Sequence, residues 1–365
     1  MKKIILFLTI LCFSQAKADI VLSSLIKTQS EKLEGNSADI PVSEGKDILT
    51  AIEDLSALNI KAVRNQVYHY ATSGKAFYLS AVKNAEIYRP VIEDIVNGYP
   101  EIPIVISDLP ILESSYNPYA VSHAGAAGLW QFMPKTATIF NLSINRWEDG
   151  RRCLINSTHA AMQHLYHLYK HHKSWELALA AYNCGSTRIN QAVANHPQMT
   201  YWEIVETGAL PTETSLYVQR FAALSILYRH NSFFGLPSTP EQNVELFGIP
   251  LKKPVSIPNV SEKTGIPEST IYLFNPQLKK SITPLVGEGY VLLIPENYYE
   301  SFVNNEDKIY TLPYSRIKTY TVVKGDHLSR IAKKHNTSID QLIHINKLKK
   351  PYIIRPGNQL LIPLH

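Results

Sequence analysis

Glu113 closes the apolar run Leu109-Pro110-Ile111-Leu112 and is followed by Ser114-Ser115-Tyr116-Asn117-Pro118. A carboxyl group with apolar neighbours is disfavoured as an anion, so its pKa rises. An acid that keeps its proton near neutral pH is the proton donor that cleavage of a glycosidic bond requires. Two downstream strings could complete a site around it, Gly128-Leu129-Trp130-Gln131 and Ala180-Ala181-Tyr182-Asn183. Ser114 and Ser122 could donate hydrogen bonds to a ligand or to the acid. Tyr182 and Trp130 each admit two readings, contact with a ligand or plain core packing on a helix stripe. Many glycosidases use a second carboxylate, as nucleophile or to activate water. Asp108 lies five residues before Glu113, on another face of a helix, and Asp149 sits in a separate segment, so neither spacing makes a pair. The histidines His123, His159, His164, His167, His171 and His172 include one i, i+4 pair, His167 with His171. No Glu or Cys completes a ligand set there, so they read as a polar helix face and no metal is expected.

The elements that must position these groups read as helices. Residues 61–98 repeat apolar side chains at helical spacing, with Gly74 and Pro90 marking turns or helix starts. Tyr99-Pro100-Glu101-Ile102-Pro103 opens a helix that reaches Glu113, and Asn117-Pro118 ends it. Residues 119–131, rich in Gly, Ala and Ser, read as a loop, and Met133 to Thr138 starts the next helix. Further helices are expected over 157–172, from Trp175 to Tyr182 with Gly185 as C-cap, and as an amphipathic segment from Tyr217 to Tyr228. Leu236-Pro237 closes an all-α domain over 99–237, preceded by an N-terminal helical region over 19–98.

From about residue 245 Pro and β-branched residues rise. Over 318–365 the pattern is strand (Thr319 to Val323), helix (Leu328 to Lys334), helix (Ser338 to Ile345) and strand (Gln359 to Pro363). A second copy spans 250–298. Its strands would be Val255 to Pro258 and Val291 to Pro295, and its helices Val260 to Gly265 and Glu268 to Phe274. Asn275 echoes Asn346, and Leu293-Ile294-Pro295 echoes Leu361-Ile362-Pro363. Repetition at this scale means tandem small modules.

Hydrophobic residues at 45% exclude a disordered chain. From residue 301 onward eleven Lys/Arg face four Asp/Glu, a surplus larger than the whole-chain +5. Such a tail suits an anionic polymer, and a solvated basic face accounts for it equally. Lys2 and Lys3 precede the apolar run Ile4 to Phe13, and Ala16-Lys17-Ala18 follows as a small-x-small cleavage site. Residues 1–18 therefore read as an export signal. Cys12 lies inside the apolar run between Leu11 and Phe13, which does not suit lipid attachment. Cys153 and Cys184 remain, and the sequence leaves open whether they pair.

Taken together, Glu113-Ser114 with Asn117-Pro118-x-Ala120-x-Ser122, Gly128-Leu129-Trp130-Gln131-x-x-Met133-Pro134-x-Thr136-Ala137, Ala180-Ala181-Tyr182-Asn183-x-Gly185 and Leu210-Pro211-x-Glu213-Thr214-x-x-Tyr217-Val218 resemble the catalytic domain of soluble-type lytic transglycosylases. The helical lead-in and trailing modules are similar to the membrane-bound lytic murein transglycosylase D subfamily. Tyr320-x-Val322-x-x-Gly325-Asp326-x-Leu328-x-x-Ile331-Ala332 resembles a LysM module, with Asp326-His327 where the pattern has Asp-Thr, and the earlier copy lacks the Gly-Asp turn. The resemblance implies a multidomain chain, with a mainly α, lysozyme-like catalytic domain followed by small βααβ LysM modules. It implies a peptidoglycan lytic transglycosylase, with Glu113 as acid then base, and with Gln131 and Asn183 on acetamido groups of the glycan. Tyr182 would orient Glu113 or the intermediate. Peptidoglycan strands are then the partner, with no nucleic acid and no cofactor. The location is the periplasm or cell envelope, with peripheral outer-membrane association. The rivals are a lysozyme that uses water on the same bond and a wall-binding protein without activity.

Overall fold

The computed structural model describes residues 47–237, 244–284, 290–310 and 316–364. The export signal, Cys12 and the start of the N-terminal region lie outside the described residues. In chain order the first α-helices are α1 (Ile48–Glu53), α2 (Lys61–Ala71), α3 (Lys75–Asn97), α4 (Leu109–Ser114), α5 (Pro134–Ile139) and α6 (Leu154–His172). They are followed by α7 (Trp175–Cys184), α8 (Ser186–Asn195), α9 (Tyr201–Glu206) and α10 (Thr212–Arg229). The chain forms two compact units, residues 47–117 with 158–237 and residues 118–157 with 244–364. Residues 118–157 pack in the unit that holds the modules.

The first unit is helical throughout. Asp47 caps α1 by accepting from the Leu49 and Thr50 amides. Gly74 precedes α3, as expected, but Pro90 lies inside α3 and starts nothing. Proline forfeits one helix bond. The helix continues because Tyr88, Ile92 and Val96 are buried on either side and Arg89 is tied to Asp108 and Glu93. At the centre lies α10. Thr214, Tyr217, Val218, Phe221, Ala222, Leu224, Ser225 and Ile226 are all buried, so both faces of α10 are covered. The expected amphipathic stripe is absent because α10 is packed by α1, α2, α4 and α7.

The expected single helix up to Glu113 is two pieces, a 3-10 turn over Ile104–Asp108 and then α4. It ends before Asn117-Pro118, because Ser115 and Tyr116 both adopt left-handed backbone (φ 52° and 54°). Tyr116 holds this turn: it is fully buried and its hydroxyl donates to the Ser107 carbonyl. Asn84 Nδ2 adds a 2.9 Å bond to the Ser115 carbonyl.

In the second unit residues 119–132 form a tight loop in which Ala127 bridges both Val121 and Phe132. Two modules follow. The first has β1 (Leu246–Leu251), α11 (Ile257–Thr264), α12 (Glu268–Phe274), β2 (Tyr290–Pro295), α13 (Tyr299–Asn304) and α14 (Glu306–Ile309). The second has β3 (Arg316–Thr321), α15 (Leu328–Lys334), α16 (Ile339–Asn346) and β4 (Gln359–Leu364). Strands β1 and β2 pair antiparallel with Leu246 opposite Pro295, and β3 and β4 with Arg316 opposite Leu364. The sequence placed the first strand too late: Ile257 begins α11, with Pro258 in its first turn where no amide is needed. The repeat extends to single atoms. Asn275 Nδ2 donates to the Ile271 and Leu293 carbonyls and its Oδ1 accepts from the Leu293 amide. Asn346 does the same with Leu342 and Leu361.

Candidate active site

Glu113 sits in the last turn of α4, half-buried. Burial raises its carboxyl pKa from 4.5 to about 7, and a hydrogen bond from Tyr217 moderates the rise. The Tyr217 hydroxyl donates to Glu113 Oε1 from the first half of α10. Burial lifts the Tyr217 hydroxyl well above its ordinary range, and the Glu113 charge adds to this, so the phenol remains a donor. Tyr182, near the end of α7, is raised by the same two causes in the same order. Its ring lies 5.3 Å from that of His164 on α6. Burial, then His167, lowers His164 to about 4. Within the helix face read from sequence as polar, His164 is half-buried and its ring packs beside Tyr182. Asn183 is exposed, and its Oδ1 accepts a 3.0 Å bond from Thr214 Oγ1 of α10. Ser114 is buried, and its Oγ donates to the Pro110 carbonyl one turn back.

The first unit thus gathers Glu113, Tyr182 and Tyr217 by contact or charge, with Asn183 tied to the helix that carries Tyr217. Sequence reasoning assigned no role to Tyr217. It lies 104 residues from Glu113, beyond the reach of any local periodicity; the only signal was its place in the Leu210 to Val218 motif. Asp108, the nearest acid in sequence, is buried and held by Arg229 Nε at 2.6 Å and Arg89 Nη2 at 3.3 Å. That carboxylate neutralises two cations.

Ser122 and Gln131 belong to the second unit. Ser122 is exposed, and its Oγ accepts the Ala126 amide at 3.0 Å. Gln131 takes a left-handed backbone (φ 48°), and its Nε2 donates to the Gly128 carbonyl at 2.8 Å and to the Ala120 carbonyl at 3.3 Å. Gly128 is required there: its φ is +86°, and a Cβ would stand 1.9 Å from the Arg151 carbonyl oxygen. Trp130 is fully buried, which settles its two readings in favour of a core anchor. Asp149, the other acid weighed as a partner, receives Arg151 Nε at 2.9 Å and Nη2 at 2.8 Å. Among the described residues no group of three His, Cys, Asp or Glu could hold a metal ion, and no helix is long and apolar enough to cross a membrane. Cys153 and Cys184 carry free thiols.

Comparison with known proteins gives three family matches, to the transglycosylase SLT domain over residues 99–205, to the lytic transglycosylase MltD LysM-like domain over 245–311 and to the LysM domain over 320–363. The membrane-bound lytic murein transglycosylase D of Escherichia coli strain K12 is 33% identical over 317 residues, covering 82% of this chain and 68% of that protein. A secreted LysM effector of Passalora fulva is 51% identical over 49 residues, 13% of this chain and 21% of its own. The crystal structure of the 70-kDa soluble lytic transglycosylase of Escherichia coli aligns with a TM-score of 0.35 at 20% identity, over 59% of this chain and 36% of that one. The match to the murein enzyme runs through the catalytic region and on into the modules, and it establishes that the chain belongs to the membrane-bound lytic murein transglycosylase D family.

Proposed function

We propose that the chain cleaves the β-1,4 bond between N-acetylmuramic acid and N-acetylglucosamine in peptidoglycan and leaves 1,6-anhydro-muramoyl ends. Glu113 gives its proton to the leaving oxygen as the C1–O bond breaks. It then takes the proton of the muramoyl C6 hydroxyl as that oxygen closes on C1. The proton count on Glu113 returns to its start and no water is consumed. Gln131 and Asn183 hold acetamido groups of the glycan, Tyr182 steadies the acid or the intermediate, and Ser122 borders the strand. The LysM modules hold the chain to the wall polymer, in the envelope.

The observation that carries this reading is the pKa of Glu113, raised to about 7 by burial. General acids work best when their pKa lies near the working pH, because they are then both protonated and able to release the proton. Tyr217, by hydrogen bonding, keeps the value from climbing further, so the same group can act as base in the second half. The acids weighed as partners are both committed to arginines, Asp108 to Arg89 and Arg229 and Asp149 to Arg151. A one-acid route uses the substrate's own hydroxyl as nucleophile. Mass spectrometry of digested peptidoglycan tests it. Anhydro-muramoyl ends are expected, and Glu113→Gln should abolish them while retaining binding to the polymer. Reducing ends would mean that water is the nucleophile, and residual cleavage by the variant would remove Glu113 from its role.

A further inference from the structure

The first module lacks the Gly-Asp turn of the second, yet it is the one bonded to the loop that carries Ser122 and Gln131. The Asp149 amide donates to the Gln277 carbonyl at 2.9 Å, and the Lys279 amide returns a 2.8 Å bond to the Trp147 carbonyl. Residues 147–149 thus join the module as a short antiparallel bridge, with Glu148 opposite Leu278. Lys279 Nζ adds a 2.7 Å bond to the Asn145 carbonyl, and Tyr119 Oη donates to the Tyr272 carbonyl at 3.1 Å.

From this bridge the bonds lead inward. Asp149 grips Arg151 through two parallel bonds, the geometry in which an arginine is held most rigidly. Arg151 Nη1 then donates to the Gly125 carbonyl at 2.7 Å and to the Phe132 carbonyl at 3.2 Å. These carbonyls stand at the two ends of the turn that contains Gln131. The Arg151 backbone closes on Gly128 from the other side, at a distance only glycine tolerates. Asp149 and Arg151 are both buried, so water does not replace these bonds.

We propose that the module at residues 245–311 acts as a clamp on the glycan-contacting loop, and that Arg151 is a positioning residue that transmits the clamp to Gln131. Contact of this loop with glycan rests on the role proposed for Gln131; the mechanical link does not. The module then contributes to turnover without binding sugar, which accounts for why it keeps its hydrophobic core and its Asn275 lock without the turn.

The test uses the full chain and two variants. Lys279→Pro removes the amide that bonds Trp147 and leaves the Asn275 lock intact; Leu278 before it already lies in a bridge, the extended backbone that proline prefers. Arg151→Lys keeps the charge but cannot grip Asp149 with two bonds and also reach two carbonyls. Hydrogen exchange should speed up at the Ala127, Gln131 and Phe132 amides by about tenfold, the factor expected for one lost hydrogen bond. KM for glycan should rise by a similar factor with the pH limb of Glu113 unmoved, while α10 keeps its protection. Lys279→Ala, which retains the amide and loses only the exposed Nζ bond to Asn145, should speed exchange far less than Lys279→Pro. Wild-type exchange at Ala127, Gln131 and Phe132 in Arg151→Lys, or in a folded Lys279→Pro, overturns the proposal. If the wild-type chain itself yields no anhydro ends, the assigned reaction falls, and the exchange data still decide the clamp.

Discussion

Glu113→Gln isolates the cost of burying an acid. Between pH 4.5 and 7 the folded chain keeps a proton on Glu113 that the unfolded chain has already released. Folding stability therefore falls as pH rises through that window and levels off above it. At pH 8 the wild-type protein carries the full penalty of a buried anion. At about 1.4 kcal/mol for each pH unit of the window, the penalty is about 3 kcal/mol. Glu113 retains some contact with water, which brings the figure to about 2–3 kcal/mol. Glutamine has the same shape, keeps an oxygen that can accept the Tyr217 hydroxyl, and never ionises. The variant should therefore be more stable than wild type at pH 8 and equal to it at pH 4. For a unit of this size that is a rise in Tm of roughly 5–10 °C at pH 8. Scanning calorimetry at pH 4, 6 and 8, following the transition of the helical unit, measures it. A difference that does not change with pH, or a variant less stable at pH 8, would refute the claim that Glu113 is held as a perturbed acid.

Tyr217→Phe removes the hydrogen bond that lowers the Glu113 pKa, so the alkaline limb of kcat/KM should move to higher pH as kcat falls. A limb that stays or moves down would mean that Tyr217 does not act on the acid. Asn346→Ala should destabilise the second module by about 2–4 kcal/mol, since it removes three hydrogen bonds in a buried site and leaves the Leu361 amide without its side-chain partner. Asn275→Ala should do the same in the first, read by exchange in β2 and β4, and a cost below about 0.5 kcal/mol would show that water fills the gap.

What could be read in advance depended on the range of the interaction. Helices α12 and α15 were legible to the residue, because their apolar spacing, and for α12 the flanking Pro267 and Asn275, act within one turn. Glu113 was legible because its apolar neighbours are adjacent in the chain. Pro90 was misread because propensity yields to packing: the Arg89 contacts that keep α3 whole come from Asp108, on another element. The end of α4 was misread because two non-glycine residues adopt left-handed backbone, a conformation their types do not announce. Tyr217 and His164 escaped for a related reason. A tyrosine on a buried helix and a histidine on a helix rich in histidines have ordinary sequence neighbours, and only the fold sets them beside Glu113 and Tyr182.

The two modules show which parts of a repeat are bound by folding and which are free to diverge. Asn275 and Asn346 make the same three bonds because each ties the end of the second helix to the backbone amide and carbonyl of one residue of the last strand. Every copy of the fold has that junction, and water is excluded from it, so a substitution is penalised wherever the module stands. The turn before the first helix carries no such obligation. In the second module Asp326 closes it by accepting from the Val323 amide at 2.9 Å and the Tyr320 hydroxyl at 2.8 Å, and Gly325 supplies a φ of +88°. In the first, the link from Leu251 to Ile257 runs through Lys252, Lys253 and Pro254, and the Val255 amide is satisfied instead by Thr283 Oγ1 at 3.0 Å. The backbone is paired either way, so the fold tolerates losing the turn. Elsewhere in the first module, the segment 277–279 presents the carbonyl of Gln277 and the amide of Lys279 that residues 147–149 pair with.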